Sequence, residues 1–146
     1  RIEKGHLVVG MDIDGRVSPY DLGLDGMCST KKDYIGRRSL ERVAFAEPDR
    51  QQLAGFVALD GRTMITAGAQ VVEAPFDGTP QRSLGRITSR AFGAAVGKPI
   101  ALGLVAGGPD RYPVPVYAVS PVTGEQTTVE VVHPEFYDPT GARMRV

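Results

Sequence analysis

The chain has 146 residues, enough for one ordinary domain with its own core. Seventeen Lys and Arg balance seventeen Asp and Glu, which argues against a general nucleic-acid binder, because such proteins carry a basic excess. The only cysteine, Cys28, excludes an intrachain disulfide and an all-cysteine metal site. In chain order, Arg1 to Glu3 reads as the lead-in to a short strand over residues 6–9, closed by an Asp14-Gly15 turn. Strand alternation would put Arg1 and Glu3 on one face and Ile2 on the other. Ser18-Pro19-Tyr20-Asp21 is a helix start, with Ser18 as cap, Pro19 at the first helical position and Asp21 three residues on. Gly23 and Gly26 keep that helix short. A second helix is expected over residues 36–46, with Arg37, Arg38, Glu41 and Arg42 wet and Leu40, Val43 and Ala44 dry.

The pattern turns to β after Glu47-Pro48-Asp49-Arg50. Strands are expected over 53–59, ended by Asp60-Gly61, then over 68–73 and 84–89. Residues 100–105 are too uniformly apolar for a half-exposed strand and should be buried on both sides. Gly107-Gly108-Pro109 is a turn. Residues 114–119 alternate around Pro115, which points to an edge, and 127–132 is a further strand. Eighteen Gly and eleven Pro likewise favour many short strands over long helices. Five or six strands at this spacing predict a closed or nearly closed antiparallel barrel. The fold class is therefore mainly β with a small α/β N-terminal piece.

The chain does not begin with Met, and it has neither a charged-then-apolar leader nor an apolar run of membrane-spanning length. It is expected to be a segment cut from a longer protein, with no membrane and no nucleic-acid partner. The lone cysteine fits a reducing, cytoplasmic setting, and there is no Asn, hence no N-glycosylation acceptor.

Few residues suggest chemistry on their own. Asp12-Ile13-Asp14-Gly15 opens like a calcium loop, but its glycine comes too early and the later glutamate is missing. His6 and His133 have no sequence-near partner for zinc. Cys28, near Lys31 and Lys32, lacks an orienting base and reads as a packing residue. Glu3 is more suggestive. A carboxylate on a strand rim can accept two adjacent N–H donors in parallel, such as the ring N–H and exocyclic amino group of a pterin edge. The bland alternative is a surface Arg1–Glu3 ion pair of little energy.

Read together, Arg1-Ile2-Glu3-Lys4-Gly5, Gly10-Met11-Asp12, residues 18–24 (SPYDLGL) and 31–37 (KKDYIGR) resemble the glycine-cleavage T-protein (aminomethyltransferase) family. Its pattern runs R-x-E-x-G, G-x-D, T-P-x-E-A-G-L and K-x-D-F-I-G. Residues 85–89 (GRITS) and 97–105 (GKPIALGLV) are similar to its G-x-V-T-S and G-x-x-I-A-L stretches. Within the family, residues 31–34, 37–40, 49–53 and 136–139 look most like the alpha subunits of heterotetrameric sarcosine oxidases. The resemblance implies that residues 1–47 are the C-terminal tail of a folate-binding domain and 48–146 its C-terminal β-barrel of about six strands. It implies an enzyme part with tetrahydrofolate as cofactor, and with FAD, FMN and NAD held elsewhere in the complete enzyme. The partners would be the rest of its own alpha subunit and the other subunits of a hetero-oligomer.

In such an oxidase the N-methyl group of sarcosine is oxidised at a flavin, and the imine passes to tetrahydrofolate to give 5,10-methylenetetrahydrofolate and glycine. Aminomethyltransferases and dimethylglycine or sarcosine dehydrogenases are the family alternatives, and a structural barrel covering a partner domain is the non-enzymatic one. By the same resemblance the folate-binding residues would be Glu3, which matches the glutamate that holds the pterin, Arg1 beside it, and Lys31 or Lys32 near the folate tail. No catalytic residue and no metal ligand carries over. Arg90-Ala91-Phe92-Gly93 replaces the family's serine-proline loop. Alone, the chain is expected to bind folate weakly and to lack oxidase activity.

Overall fold

The computed structural model describes residues 1–145. Its strands are β1 (Gln51–Ala58), β2 (Gln70–Val72), β3 (Gly85–Gly93), β4 (Lys98–Ala106), β5 (Val116–Val119) and β6 (Gln126–Val132). They close into an antiparallel barrel in the order β1-β4-β3-β2-β5-β6, with β6 returning to β1. The expected mainly-β class and six-stranded barrel are thus what the chain adopts. Every strand has two neighbours, so no edge is left unpaired.

Alternation decides which side chains fill the barrel. Ala54, Phe56 and Ala58 of β1, Ile87 of β3, Ala101 and Val105 of β4, Val116 and Ala118 of β5, and Val129 and Val131 of β6 form one buried cluster. The other face of β4 is also buried. Ile100 and Leu102 pack with Ile2, and Leu104 packs with Leu22 and Leu53. The N-terminal segment lies over that outer face, so the uniformly apolar run is covered twice. Gly103 stands in the inward row of β4; a Cβ there would sit 2.4 Å from the Arg86 carbonyl oxygen and 2.9 Å from the Phe56 ring.

Strand β3 contains a bulge between Ile87 and Ser89. The extra residue, Thr88, shifts the alternation, so Ile87 opposes Gly103 while Ser89 opposes Leu102. Both Thr88 and Ser89 then reach the N-terminal segment outside the barrel.

The N-terminal segment departs from the expected strand. Ile2–Lys4 is a 3-10 turn rather than a strand, because Gly5 takes φ 66° and returns its N–H to the Ile2 carbonyl at 2.9 Å. Residues 6–9 are not a strand either, apart from an isolated Val9–Ile13 bridge. The Val8 carbonyl accepts from Asp12 N at 2.9 Å, and the Val8 N–H is taken by the Asp12 carboxylate at 2.9 Å, so the chain turns back instead of extending.

The capped start at Ser18 forms as expected. Ser18 N–H donates to Asp21 Oδ2 at 2.8 Å and Asp21 N–H to Ser18 Oγ at 3.3 Å. The helix is one 3-10 turn, Tyr20–Leu22, stopped by Gly23 at φ 68°. The helix expected over 36–46 breaks into α1 (Arg37–Leu40) and a 3-10 turn, Val43–Phe45. Arg42 is extended at ψ 142° between them, and Val43, assigned to the dry face, is 82% exposed. With no apolar stripe to bury, so short a helix is not extended. The segment at Pro115 is not an edge. The strand starts one residue later, at Val116, and pairs with β2 on one side and β6 on the other. Among the described residues, no helix is long and apolar enough to cross a membrane.

Candidate functional site

The Ile2–Lys4 turn sits on the β3–β4 end of the barrel. Ile2 anchors it by packing against Ile100 and Leu102, with Val96 alongside. Glu3 is thereby held at the rim, half-buried. Its Oε1 accepts the Ala95 N–H at 2.7 Å, and its main-chain carbonyl accepts the Tyr137 N–H at 3.0 Å. The Lys4 ammonium donates to the Asp138 carbonyl at 2.7 Å. The turn is therefore fastened to both the hairpin and the C-terminal segment. Among the described residues, Glu3 Oε2 has no hydrogen-bond partner.

Arg1 does not pair with Glu3. Its guanidinium donates to Asp12 Oδ2 at 3.0 Å, to Ser89 Oγ at 2.8 Å and to the His6 carbonyl at 2.7 Å. Lys31 and Lys32 are exposed, in a turn where both main-chain N–H groups donate to Ser29 Oγ. Among the described residues, neither lysine is bonded or ion-paired to Glu3. Glu3 and Arg1 thus share one turn, whereas the lysines stand on a separate loop. Cys28 is half-buried.

Two acidic residues matter in ways the linear sequence hid. Asp12 is 1% exposed. It accepts from Thr88 Oγ1, from Ser89 Oγ at 2.7 Å, from the Val8 N–H and from Arg1. Burial pushes its carboxyl up, but those hydrogen bonds and the Arg1 charge together outweigh burial and hold it below the usual range. Asp21 is likewise buried. Burial raises it, and the Arg50 guanidinium, with the Ser18 N–H and hydroxyl, lowers it further than burial lifts it. Arg50 grips Asp21 through Nε at 2.8 Å and through Nη2, and lies 4.6 Å over the Phe45 ring. The calcium-like Asp12-Ile13-Asp14-Gly15 stretch is occupied by arginines. Asp12 holds Arg1, and Asp14 holds Arg16 and Arg86.

A cleft of about 530 Å³ opens beside the turn, between the N-terminal segment and the barrel. Gly5, His6, Tyr20 and Leu24 line one wall, and Gln52, Asp110 and His133 the other. Both histidines of the chain therefore border one space, and His133 Nε2 lies 3.1 Å from Asp110 Oδ1. Among the described residues, no group of three or more His, Cys, Asp or Glu is disposed to hold a metal ion. The rim presents a carboxylate anchored through Oε1, with no partner for Oε2 among the described residues.

Residues 51–138 match the family model of the glycine cleavage T-protein C-terminal barrel domain. The chain is 37% identical over 147 aligned residues to the sarcosine oxidase subunit alpha of Rhizobium meliloti, covering 100% of this chain and 15% of that protein. It is 33% identical to the sarcosine oxidase subunit alpha of Corynebacterium sp. strain U-96, covering 98% and 15%. The aminomethyltransferase of Thermotoga neapolitana is 31% identical over 106 residues, covering 73% of this chain and 27% of that protein. The crystal structure of the glycine cleavage system aminomethyltransferase T from Bartonella henselae superposes with a TM-score of 0.74 at 23% identity, over 95% of this chain and 37% of that one. That likeness establishes the shared fold. The chain spans only 15% of the length of the sarcosine oxidase subunits it matches.

Proposed function

This chain belongs to the glycine cleavage T-protein family, through its C-terminal barrel, and from that premise we propose that it forms the folate-side end of a sarcosine oxidase alpha subunit. Its relatives in that family are enzymes, sarcosine oxidases and aminomethyltransferases. The oxidase reading is favoured because similarity to the alpha subunits extends over 98–100% of the chain, including the segment before the barrel, against 73% for the aminomethyltransferase. On this reading residues 1–47 end the folate-binding domain and 48–146 form its barrel. The flavins and NAD belong to the rest of a cytoplasmic hetero-oligomer.

The observation that carries the folate reading is the Glu3 carboxylate, fixed at the rim with Oε2 unused. Two parallel N–H donors fit such a group, since each carboxylate oxygen has lone pairs to spare even after Oε1 accepts from Ala95. Arg1 contributes by tying the rim turn to Asp12 and Ser89. Lys31 or Lys32, exposed and cationic, would meet the carboxylates of a folate tail. Folate, when bound, supplies the acceptor for the one-carbon unit of oxidised sarcosine, giving 5,10-methylenetetrahydrofolate and glycine. The chain's own residues bind and orient; none is assigned a proton-transfer step.

The test is product partition in the full-length protein with its partner subunits, supplied with sarcosine and tetrahydrofolate. Glu3→Gln should leave oxygen uptake unchanged while diverting the one-carbon unit from methylenetetrahydrofolate to free formaldehyde, the hydrolysis product of the imine. An unchanged methylenetetrahydrofolate yield would refute the role of Glu3. The isolated 146-residue chain should neither turn over sarcosine nor bind folate tightly.

A further inference from the structure

We infer that the β3–β4 hairpin is the positioning element for the Glu3 carboxylate, and that the Ala95 N–H is the group that aims it. This rests on the reading of Glu3 as a pterin contact. A glutamate on a three-residue turn has no strand neighbours to restrict it, and its freedom would have to be lost when a ligand binds. Here that freedom is removed beforehand. The Ala95 N–H holds Oε1 at 2.7 Å. The turn beneath is pinned by Ile2 on Ile100 and Leu102, and by Tyr137 N–H on the Glu3 carbonyl.

The hairpin is shaped for this contact. It closes through Gly97 N–H donating to the Gly93 carbonyl at 2.7 Å. A Cβ on Gly93 would lie 3.3 Å from Glu3 Oε1, 3.0 Å from Ile100 Cδ1 and 3.2 Å from Val96 Cβ. Glycine there leaves the carboxylate its seat. The hairpin's share of the bond is a main-chain N–H, so its side chains other than at Gly93 can vary provided that position 95 keeps its N–H. The Arg90-Ala91-Phe92-Gly93 wording therefore does not remove the support. Fixing one oxygen also sets the plane of the carboxylate, and with it the direction in which Oε2 can accept. That favours ligands with two adjacent donors over those with one.

The test uses the full-length protein with tetrahydrofolate and an analogue lacking the exocyclic amino group. Ala95→Pro deletes the donor; Ala95→Gly keeps it. The expected result is wild-type affinity for Ala95→Gly and a loss of about tenfold or more for Ala95→Pro, the order of one hydrogen bond to a charged group. Ala95→Pro should also lose preference for tetrahydrofolate over the analogue, as Glu3→Gln does. A loss in Glu3→Gln with wild-type binding and preference in Ala95→Pro overturns the positioning role and leaves the pterin reading standing. Wild-type binding in Glu3→Gln overturns the pterin reading itself. Should Ala95→Pro misfold, amide exchange at Ala95 without ligand decides. Exchange faster in Glu3→Ala than in wild type supports the contact, and equal exchange overturns it.

Discussion

Asp12 accepts the Ser89 hydroxyl at 2.7 Å, which bonds the Gly10-Met11-Asp12 stretch directly to the Thr88-Ser89 stretch of the barrel. The two segments are 77 residues apart in sequence. Thr88 and Arg1 complete the cluster, so the turn that carries Glu3 is placed by a buried carboxylate on the barrel wall. Replacing Asp12 by Ala would take the acceptor from the buried Ser89 hydroxyl and the part-buried Val8 N–H, while Thr88 keeps the Leu102 carbonyl and Arg1 keeps the His6 carbonyl. Because Arg1 remains one-third exposed, the cost should lie at the low end for a broken buried pair, about 3 kcal/mol. Asp12→Asn, which keeps one acceptor, should cost about 1–2 kcal/mol. Urea unfolding measures both as a lower midpoint at unchanged slope.

Acid should unfold the chain through the same carboxylates. Asp12 and Asp21 are both held below their ordinary value of 3.8 in the folded state. A depressed folded value means that the unfolded chain binds protons first. The stabilisation is therefore complete above the unfolded pKa, about 4, and is lost as pH falls through the lower folded values. A urea midpoint that is flat near neutrality and drops steeply below about pH 4 is expected. Asp12→Asn should start lower and fall less steeply; an identical acid limb would count against the buried network.

Close strand approach gives a third expectation. A Cβ at Gly103 would lie 2.4 Å from the Arg86 carbonyl oxygen, 2.9 Å from the Phe56 ring and 3.1 Å from the Ile87 Cα. Two of those neighbours are backbone and cannot rotate away. Gly103→Ala should therefore destabilise the barrel by about 1–3 kcal/mol or more, as overpacking does. Gly124→Ala is no useful control because of its φ of 73°; Gly26→Ala, with open space around it, is the better one and should shift the urea midpoint far less.

Much of the barrel was legible because burial and alternation act locally on each strand. The doubly buried run at Ile100 to Val105 and the turn at Gly107-Gly108 are cases where local pattern and final environment agree. Pro115 misled because it stands immediately before its strand, where its missing N–H disturbs no ladder bond. The N-terminal segment was less legible because its conformation is dictated by distant partners. Residues 6–9 have strand-like composition, yet the Asp12 carboxylate takes the Val8 N–H that a ladder would have used. Alternation alone would send Thr88 and Ser89 to opposite faces; the bulge directs both to Asp12. Glu3 was singled out by its residue type and family motif. Its support from Ala95 required a contact across 92 residues that no spacing rule reveals.

The most direct measurement is a tetrahydrofolate titration of the full-length protein against its Glu3→Gln variant. A carboxylate that accepts charged hydrogen bonds from the ligand predicts a loss of about 1.5–3 kcal/mol, roughly ten- to hundredfold in affinity. Equal affinity of the two proteins would contradict it.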